Sequence, residues 1–187
     1  MSAASESAPL AALARFAASL RQHPWFASVG QPGSEAEEAT ARRYLAGLDM
    51  AHCSVGWIAD WRAAERVTRA PDASTAWWQA EEDARQALLA EVRRATAEAD
   101  YLAAMNRVVF EATEAVMGPA AVAAARDGIA DQALIRVAAG AAAQACHQAA
   151  LATAAGAADD HPFALKFGLY TGGRWPLGVI GSRFFLF

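Results

Sequence analysis

The sequence has few of the residues that build catalytic and metal centres. Among its 187 residues are two cysteines, four histidines and one lysine, Lys166. Two cysteines are too few for a disulfide framework. The chain also lacks a Gly-x-Ser-x-Gly elbow, a Walker loop, a dinucleotide-binding fingerprint and a His-Glu-x-x-His motif. The sequence therefore names no reaction and no substrate.

The chain has no excess of positive charge. Its formal net charge is −4 and its pI is near 5.5, which argues against nucleic acid and anionic lipid as partners. All the basic residues except Lys166 are arginine, and together with the abundant alanine this indicates a GC-rich bacterial genome. The N-terminus lacks the features of a signal peptide, and polar side chains interrupt the apolar stretch 130–158. We expect a reduced, soluble, cytoplasmic protein with no membrane span.

The metal-ligating residues do not have the spacing of a known metal site. Cys53 and Cys146 each adjoin a histidine, but neighbours on a helix point about 100° apart and cannot chelate one ion. Glu111 and Glu114 lie in a helical segment, yet the chain has no Glu-x-x-His pair of the di-iron type. We expect no metal and no cofactor, with both cysteines as buried apolar residues. The alternative is that two helices bring the Cys-His pairs together in a metal or thiol site.

The first 158 residues have the composition and periodicity of helices. A first helix is predicted over 8–21 and a second from Ser34 to about Gly47, with the Ser34 and Glu37 spacing of a capping box. Asp49 begins a predicted third helix that carries Trp57. The last helix of this body, 131–155, has a face of alanines that predicts close packing against the first helix.

The longest periodic segment begins at Asp72 or Ser74 and is predicted to end at Gly118-Pro119, with a short helix after it to Arg126. A break is expected near 96–101, because an unbroken helix of this length is too long for a small domain. Its apolar residues recur at steps of three and four, as in a heptad seam: Leu88, Val92, Ala95, Ala99, Leu102, Asn106, Val109, Thr113 and Val116. Asn106 and Thr113 are polar positions on this seam. They either set the register of a helix interface or line a ligand pocket.

The last 26 residues, 162–187, differ in composition from the rest of the chain. Alanine is absent after Ala164, and apolar residues alternate with others between Phe163 and Tyr170, a pattern typical of a strand. Glycine-containing turns at 171–173 and 181–182 divide the segment into three predicted strands. The sequence predicts an antiparallel three-stranded meander with apolar residues on both faces.

A sheet with two apolar faces needs cover on both sides. Either the helices cover both faces, or one face binds a second molecule. We favour a homodimer that forms through the meander.

The predicted fold class is α+β and predominantly α. It consists of a bundle of about five or six helices (1–158) with a C-terminal antiparallel β-meander (162–187), in a single domain over 1–187.

Two functions remain open at this stage. The first is a non-catalytic interaction protein that acts as a homodimer, since no catalytic constellation occurs. The second is a small-molecule-binding protein or enzyme with a pocket between the long helix and the meander. The candidate ligand-binding residues are Trp57, Asn106, Thr113, Lys166, Tyr170, Arg174 and Trp175. Lys166 is the candidate base or nucleophile, and a salt bridge to Asp159 or Asp160 is the alternative.

Overall fold

The fold is known from a computed structural model that describes residues 8–71 and 74–187. Seven α-helices and three strands form within these ranges, and 66% of the described residues are helical. The fold is α+β and predominantly α, as predicted. The elements are α1 (Ala8–Ser19) with a 3-10 turn (Leu20–Gln22), α2 (Glu35–Ala46), β1 (Ser54–Trp57), α3 (Trp61–Thr68), α4 (Thr75–Ala95), α5 (Glu98–Arg126), α6 (Gln132–Ala154), α7 (Pro162–Thr171), β2 (Pro176–Ile180) and β3 (Arg183–Leu186).

Helix α6 is the centre of the bundle. It has its most extensive contact with α5, and α1, α4 and α7 also pack on it. Ala138, Ala142 and Ala145 on α6 are fully buried, because small side chains let neighbouring helices approach closely. The predicted contact with α1 is present, although α5 contacts more of α6.

The long apolar segment breaks at Thr96 and Ala97, as predicted for the region 96–101. The break changes which face is buried. Leu88 and Val92 of α4 lie in the core, but the seam on α5 is exposed from Leu102 to Thr113 and returns to the core at Val116. The prediction of one continuous seam is therefore wrong, since two extended residues reset the rotation of the following helix. The exposed seam residues are Leu102, Asn106, Val109 and Thr113.

Pro119 lies inside α5 and does not end it. A proline in a helix interior removes one backbone hydrogen bond at a cost of about 3 kcal/mol. The residues that follow, Ala120, Ala123 and Ala124, are buried in the core, and this packing favours continuation of the helix to Arg126. The predicted stop at Gly118-Pro119 and the separate short helix are therefore wrong.

The first predicted strand of the tail is the helix α7. His161 is its N-cap and its ring Nδ1 accepts a hydrogen bond from the Phe163 N–H, while Pro162 occupies the first turn. Proline at that position is typical of a helix start. The buried residues have helical spacing as well as the alternation that suggested a strand: Pro162, Phe163, Leu165, Lys166, Leu169 and Tyr170.

The third strand of the sheet comes from the helical body. Strand β1 lies where a third helix from Asp49 was predicted, and it pairs parallel with β3. Strand β3 also pairs antiparallel with β2, so the strand order is β1-β3-β2 and the sheet is mixed. The predicted purely antiparallel meander is wrong, since one of its strands is a helix and its replacement comes from another part of the chain.

Other local predictions are confirmed. Ser34 and Glu37 form a capping box at the start of α2, and 181–182 is the turn between β2 and β3. Ser74 is the N-cap of α4; the alternative start, Asp72, lies outside the described residues.

The predicted turn at 171–173 is instead the end of α7. Gly172 is the C-cap, and Gly173 has a φ of 89°. A Cβ atom at Gly173 would lie 2.8 Å from the backbone nitrogen of Ser28. Glycine is required here by both its conformation and this close approach.

The apolar residues of the tail are mostly covered within the chain. Val179, Phe184, Leu186 and Phe187 expose 1% or less of their surface. The helices thus provide much of the cover that the sheet needs. A homodimer through the tail stays a prediction.

Among the described helices, α5 passes the length and hydropathy criteria for a membrane span. Of its most apolar window, 39% is buried in the fold. This finding is compatible with a soluble protein.

Candidate functional site: a cleft above a buried lysine

The chain's lysine lies in the interior at the junction of four helices. Lys166 on α7 exposes 6% of its surface, and its Nζ lies 2.6 Å from Oε1 of Glu81 on α4. Glu81 exposes 2%. The salt bridge predicted with Asp159 or Asp160 is replaced by this one. Charges this deep are stable only when they are paired and hydrogen-bonded.

Three donors satisfy the Glu81 carboxylate. Besides Lys166, the Tyr44 hydroxyl of α2 donates to Oε1 at 2.6 Å, and Nε2 of Gln148 on α6 donates to Oε2 at 3.1 Å. The indole N–H of Trp77 donates in turn to the Tyr44 oxygen at 2.6 Å. The buried network therefore connects α2, α4, α6 and α7 through one carboxylate.

Burial governs the proton affinities in this network. Desolvation lowers the pKa of Lys166, and the negative charge of Glu81 opposes that shift. Desolvation, followed by the charge of Glu81, raises the pKa of Tyr44 well above its ordinary value. Tyr44 is therefore a neutral donor at physiological pH, which is the form that its bond to Glu81 requires.

A cleft of about 180 Å³ lies above this network. Its upper part contains Trp78, half exposed on α4, and Val137, half exposed on α6. Lys166 and Tyr170 form part of the floor. The complete lining consists of Thr68, Trp77, Trp78, Val137, Ala141, Gln144, Lys166, Tyr170, Trp175, Pro176 and Leu177. Ligand sites typically combine such aromatic walls with a few convergent polar groups.

The Lys166 ammonium has donor capacity left over. It carries three N–H groups, and among the described residues Glu81 is the hydrogen-bond acceptor of one of them. The Trp77 ring lies 5.2 Å from Nζ and stabilises the cation through its π face. Lys166 also lines the cleft, next to Trp77.

Three of the seven predicted site residues line this cleft together: Lys166, Tyr170 and Trp175. The Tyr170 hydroxyl donates to the backbone oxygen of Pro176 at 3.3 Å and fixes α7 against β2. Trp175 packs in the core, with its ring centroid 5.5 Å from that of Trp61. The cleft lies between α4 and α6, with α7 below it and residues of the tail at one side; a ligand pocket next to the tail stays a prediction.

Arg174 and Trp57 lie at a different place and have a structural role. The Arg174 guanidinium donates to both carboxylate oxygens of Glu37 and to the backbone oxygens of Ser28, Gln31 and Pro32. All five of its N–H groups are engaged. The Trp57 ring lies 5.2 Å from the guanidinium carbon. This arrangement fixes the loop before α2 and leaves no donor for a ligand.

Asn106 and Thr113 are exposed on α5, away from the cleft. The Thr113 hydroxyl donates to the backbone oxygen of Val109 at 2.9 Å. Neither residue lines the Lys166 cleft, so the structure does not bring them together with the other predicted site residues.

Sequence reasoning missed Glu81, Tyr44, Gln148 and Trp77. A signal for Glu81 was present. The apolar seam of α4 extends backwards from Leu88 at steps of four and three to Ala84, Glu81 and Trp77. A carboxylate on a buried stripe needs a cation, and Lys166 was a candidate.

The described residues contain no cluster of three or more potential metal ligands. Cys53 and Cys146 are both buried, and burial raises the pKa of Cys146 to about 12. A thiol in that state is a poor nucleophile and a poor metal ligand.

Comparisons with protein-family models, with curated proteins and with solved structures found no match to this chain.

Proposed function

We propose that the protein binds a small, flat organic molecule in the Lys166 cleft, with an acceptor group on the ligand that reaches Nζ. The observation that carries the proposal is a buried lysine that lines an aromatic cleft and whose ammonium group donates to one acceptor, Glu81, among the described residues. Replacing a buried ion pair with apolar residues is often neutral or stabilising. A contribution to stability therefore explains poorly why the chain buries this ion pair. Binding of a ligand by Lys166 explains it better.

The size of the cleft limits the ligand. An apolar cavity of about 150 Å³ holds a benzene molecule, and this cleft measures about 180 Å³. It suits a single ring with one small polar substituent. Trp77 and Trp78, whose ring centroids are 4.7 Å apart, offer surfaces on which such a ring packs.

The charge of the site selects the polar substituent. Glu81 already neutralises Lys166, so a carboxylate ligand competes with Glu81 for the ammonium. A neutral carbonyl accepts a hydrogen bond from Nζ without burying a further charge. We therefore propose an aromatic or similarly flat carbonyl compound as the ligand class. The two buried reduced cysteines support a cytoplasmic location.

Benzamide, benzoate and toluene test the proposal as matched probes. Two-dimensional NMR of the tryptophan indole N–H groups follows the binding, because Trp77, Trp78 and Trp175 line the cleft. We expect benzamide to bind with a Kd near or below about 1 mM, and benzoate and toluene to bind at least tenfold more weakly. Equal weak binding of all three probes, or none, contradicts the proposal.

Two variants locate the binding. Ala141→Met fills the cleft from α6 without touching the ion pair, and we expect it to abolish benzamide binding. Arg136→Met on the exposed side of the same helix is its control. The double variant Lys166→Met/Glu81→Gln removes the donor and leaves no unpaired charge, so it should lose the preference for benzamide over toluene. If the preference survives, Lys166 is not the recognition group.

A further inference from the structure

Helix α5 presents an exposed apolar face that the bundle does not use. The face consists of Leu102, Asn106, Val109, Phe110, Thr113 and Met117, which recur at helical spacing. Phe110 exposes 62% of its surface, Leu102 50%, Val109 44% and Met117 39%. Isolated exposed apolar residues are normal, but a continuous stripe of four large ones marks an interaction surface.

The sequence of this face is symmetric about a point between Val109 and Phe110. In an antiparallel pair of α5 helices centred there, Leu102 of one copy lies opposite Met117 of the other, and Val109 lies opposite Phe110. Asn106 lies opposite Thr113. Every apolar residue of the face thus meets an apolar one, which is the self-complementarity that a two-fold interface needs.

The polar pair fits the same register. The Thr113 hydroxyl donates its proton within α5 to the backbone oxygen of Val109, so its oxygen remains free to accept. An Asn106 side-chain amide from the other copy can donate to it. Polar residues in a helix interface typically fix its register, which is one of the two roles that the sequence predicts for Asn106 and Thr113.

Two charged residues beside the face have a centre of symmetry that lies one residue from that of the apolar residues. Arg107 and Glu114 are exposed and lie two helical turns apart on one edge of the face. They carry opposite charges and are symmetric about a point between Phe110 and Glu111. In the register set by the apolar residues, Glu114 of one copy lies two residues, about 3 Å along the axis, from the position level with Arg107 of the other, which is within reach of the arginine side chain. Among the described residues, neither takes part in an ion pair within the chain.

We infer that two copies of this chain associate through α5 as an antiparallel helix pair. This surface is distinct from the tail and from the Lys166 cleft, so the inference does not depend on the proposed ligand. A membrane surface is the less favoured occupant. The edges of α5 carry three acidic residues, Glu98, Asp100 and Glu114, and one basic residue, Arg107, whereas helices that lie on membranes are rich in lysine and arginine on the polar side.

Sedimentation velocity over a range from about 1 to about 300 μM tests the association. We expect the wild-type protein to be dimeric at the upper end. Phe110→Ser should weaken the dimer at least tenfold, because it removes the most exposed apolar side chain from the centre of the face. Val122→Ser, on the same helix and 61% exposed but outside the face, should leave it unchanged.

Charge reversal tests the antiparallel register. Arg107→Glu and Glu114→Arg should each weaken the dimer severalfold, since each places like charges opposite one another. The double reversal should restore it. Asp100→Arg is the control, because Asp100 lies level with Pro119 in this register and no charged residue lies within two positions of Pro119, so the replacement should have little effect.

The inference is overturned if the protein is monomeric at about 300 μM, the upper end of that range. It is also overturned if a dimer forms that Phe110→Ser does not weaken, or if the double reversal fails to restore it. Flotation with vesicles of neutral phosphatidylcholine and of mixed anionic lipid tests whether the face binds a membrane. A monomer that floats with vesicles and loses this property in Phe110→Ser assigns the face to a membrane surface instead.

Discussion

Lys166 and Arg174 are two buried cations in similar company, and the difference between them separates the candidate site from the scaffold. Each is paired with a glutamate at 2.6 Å, and each lies 5.2 Å from a tryptophan ring. Arg174 uses all five N–H groups on Glu37 and three backbone oxygens. Lys166 has N–H groups to spare and lies in the floor of a cleft.

A buried cation indicates a ligand site only when some of its N–H groups have no acceptor within the protein. An arginine with five acceptors is a structural joint, because nothing is left to bind a ligand. A lysine with one acceptor that also lines a cleft has donor capacity that the scaffold does not use, and this is why we propose it as a recognition group. Burial alone, 6% exposure for Lys166 and 3% for Arg174, does not distinguish them.

The largest effect is expected from breaking the Lys166 pair on one side. Lys166→Met leaves the Glu81 carboxylate buried without a counter-ion, and we expect a loss of about 3–5 kcal/mol in the free energy of unfolding. Urea denaturation followed by tryptophan fluorescence measures it. The exposed variant Arg136→Met should change stability by no more than about 0.5 kcal/mol. If Lys166→Met also lost no more than about 0.5 kcal/mol, the Glu81 carboxylate would have to be hydrated, and the expected cost of an unpaired buried charge would be wrong.

The Arg174 pair should appear as acid sensitivity. Desolvation raises the pKa of Glu37, but hydrogen bonds from Arg174 and Ser34 outweigh it and hold the pKa at about 2. Since this lies below the ordinary value of 4.5, the unfolded chain binds more protons between those two pH values. We therefore expect Glu37 to contribute up to about 3 kcal/mol of stability above pH 4.5, and this contribution to be lost as the pH falls towards 2.

Unfolding in urea at pH 6, 4 and 3 tests this window. Glu37→Gln should flatten the pH dependence relative to wild type, because the group that titrates is removed. Glu35→Gln, an exposed change in the same turn of α2, serves as the control. An unchanged slope in Glu37→Gln would show that Arg174 does not hold the carboxylate.

The local signals in the sequence predicted several helix starts and one helix break, but not the helix that continues through Pro119, the helix α7 or the pairing of the sheet. The caps at Ser34 and Ser74 and the break near Thr96 depend on neighbouring residues, so the sequence contains them. The parallel pairing of β1 with β3 joins Val55 to Phe184, and such a distant partner leaves no local pattern. Residues 163–170 satisfied both a period of two and helical spacing, and Pro162 at the helix start was the overlooked signal.

The candidate site was predicted in part for the same reason. Lys166 stood out because the chain has no other lysine, and Tyr170 lies one helical turn from it. Arg174 and Trp57 do contact each other, but they do not bind a ligand through Arg174, because protein acceptors engage all its N–H groups. Which acceptors surround a cation depends on how the chain folds, so the sequence does not contain this information. Asn106 and Thr113 were placed on a buried seam, and the reset of helix phase at Thr96 moved them to the surface.

The smallest effect on the free energy of unfolding is expected from the double variant Lys166→Met/Glu81→Gln. This variant also distinguishes Lys166 from Arg174 most clearly. The amide that replaces the Glu81 carboxylate can still accept from Tyr44, and it can donate to Oε1 of Gln148, a buried atom without a hydrogen-bond partner among the described residues. We expect stability within about 1.5 kcal/mol of wild type.

Arg174→Met/Glu37→Gln should not recover in this way, because the backbone oxygens of Ser28, Gln31 and Pro32 lose their donor. Urea denaturation of both double variants against their single variants gives the answer. Equal recovery at the two places would mean that Arg174, like Lys166, is held mainly by its glutamate.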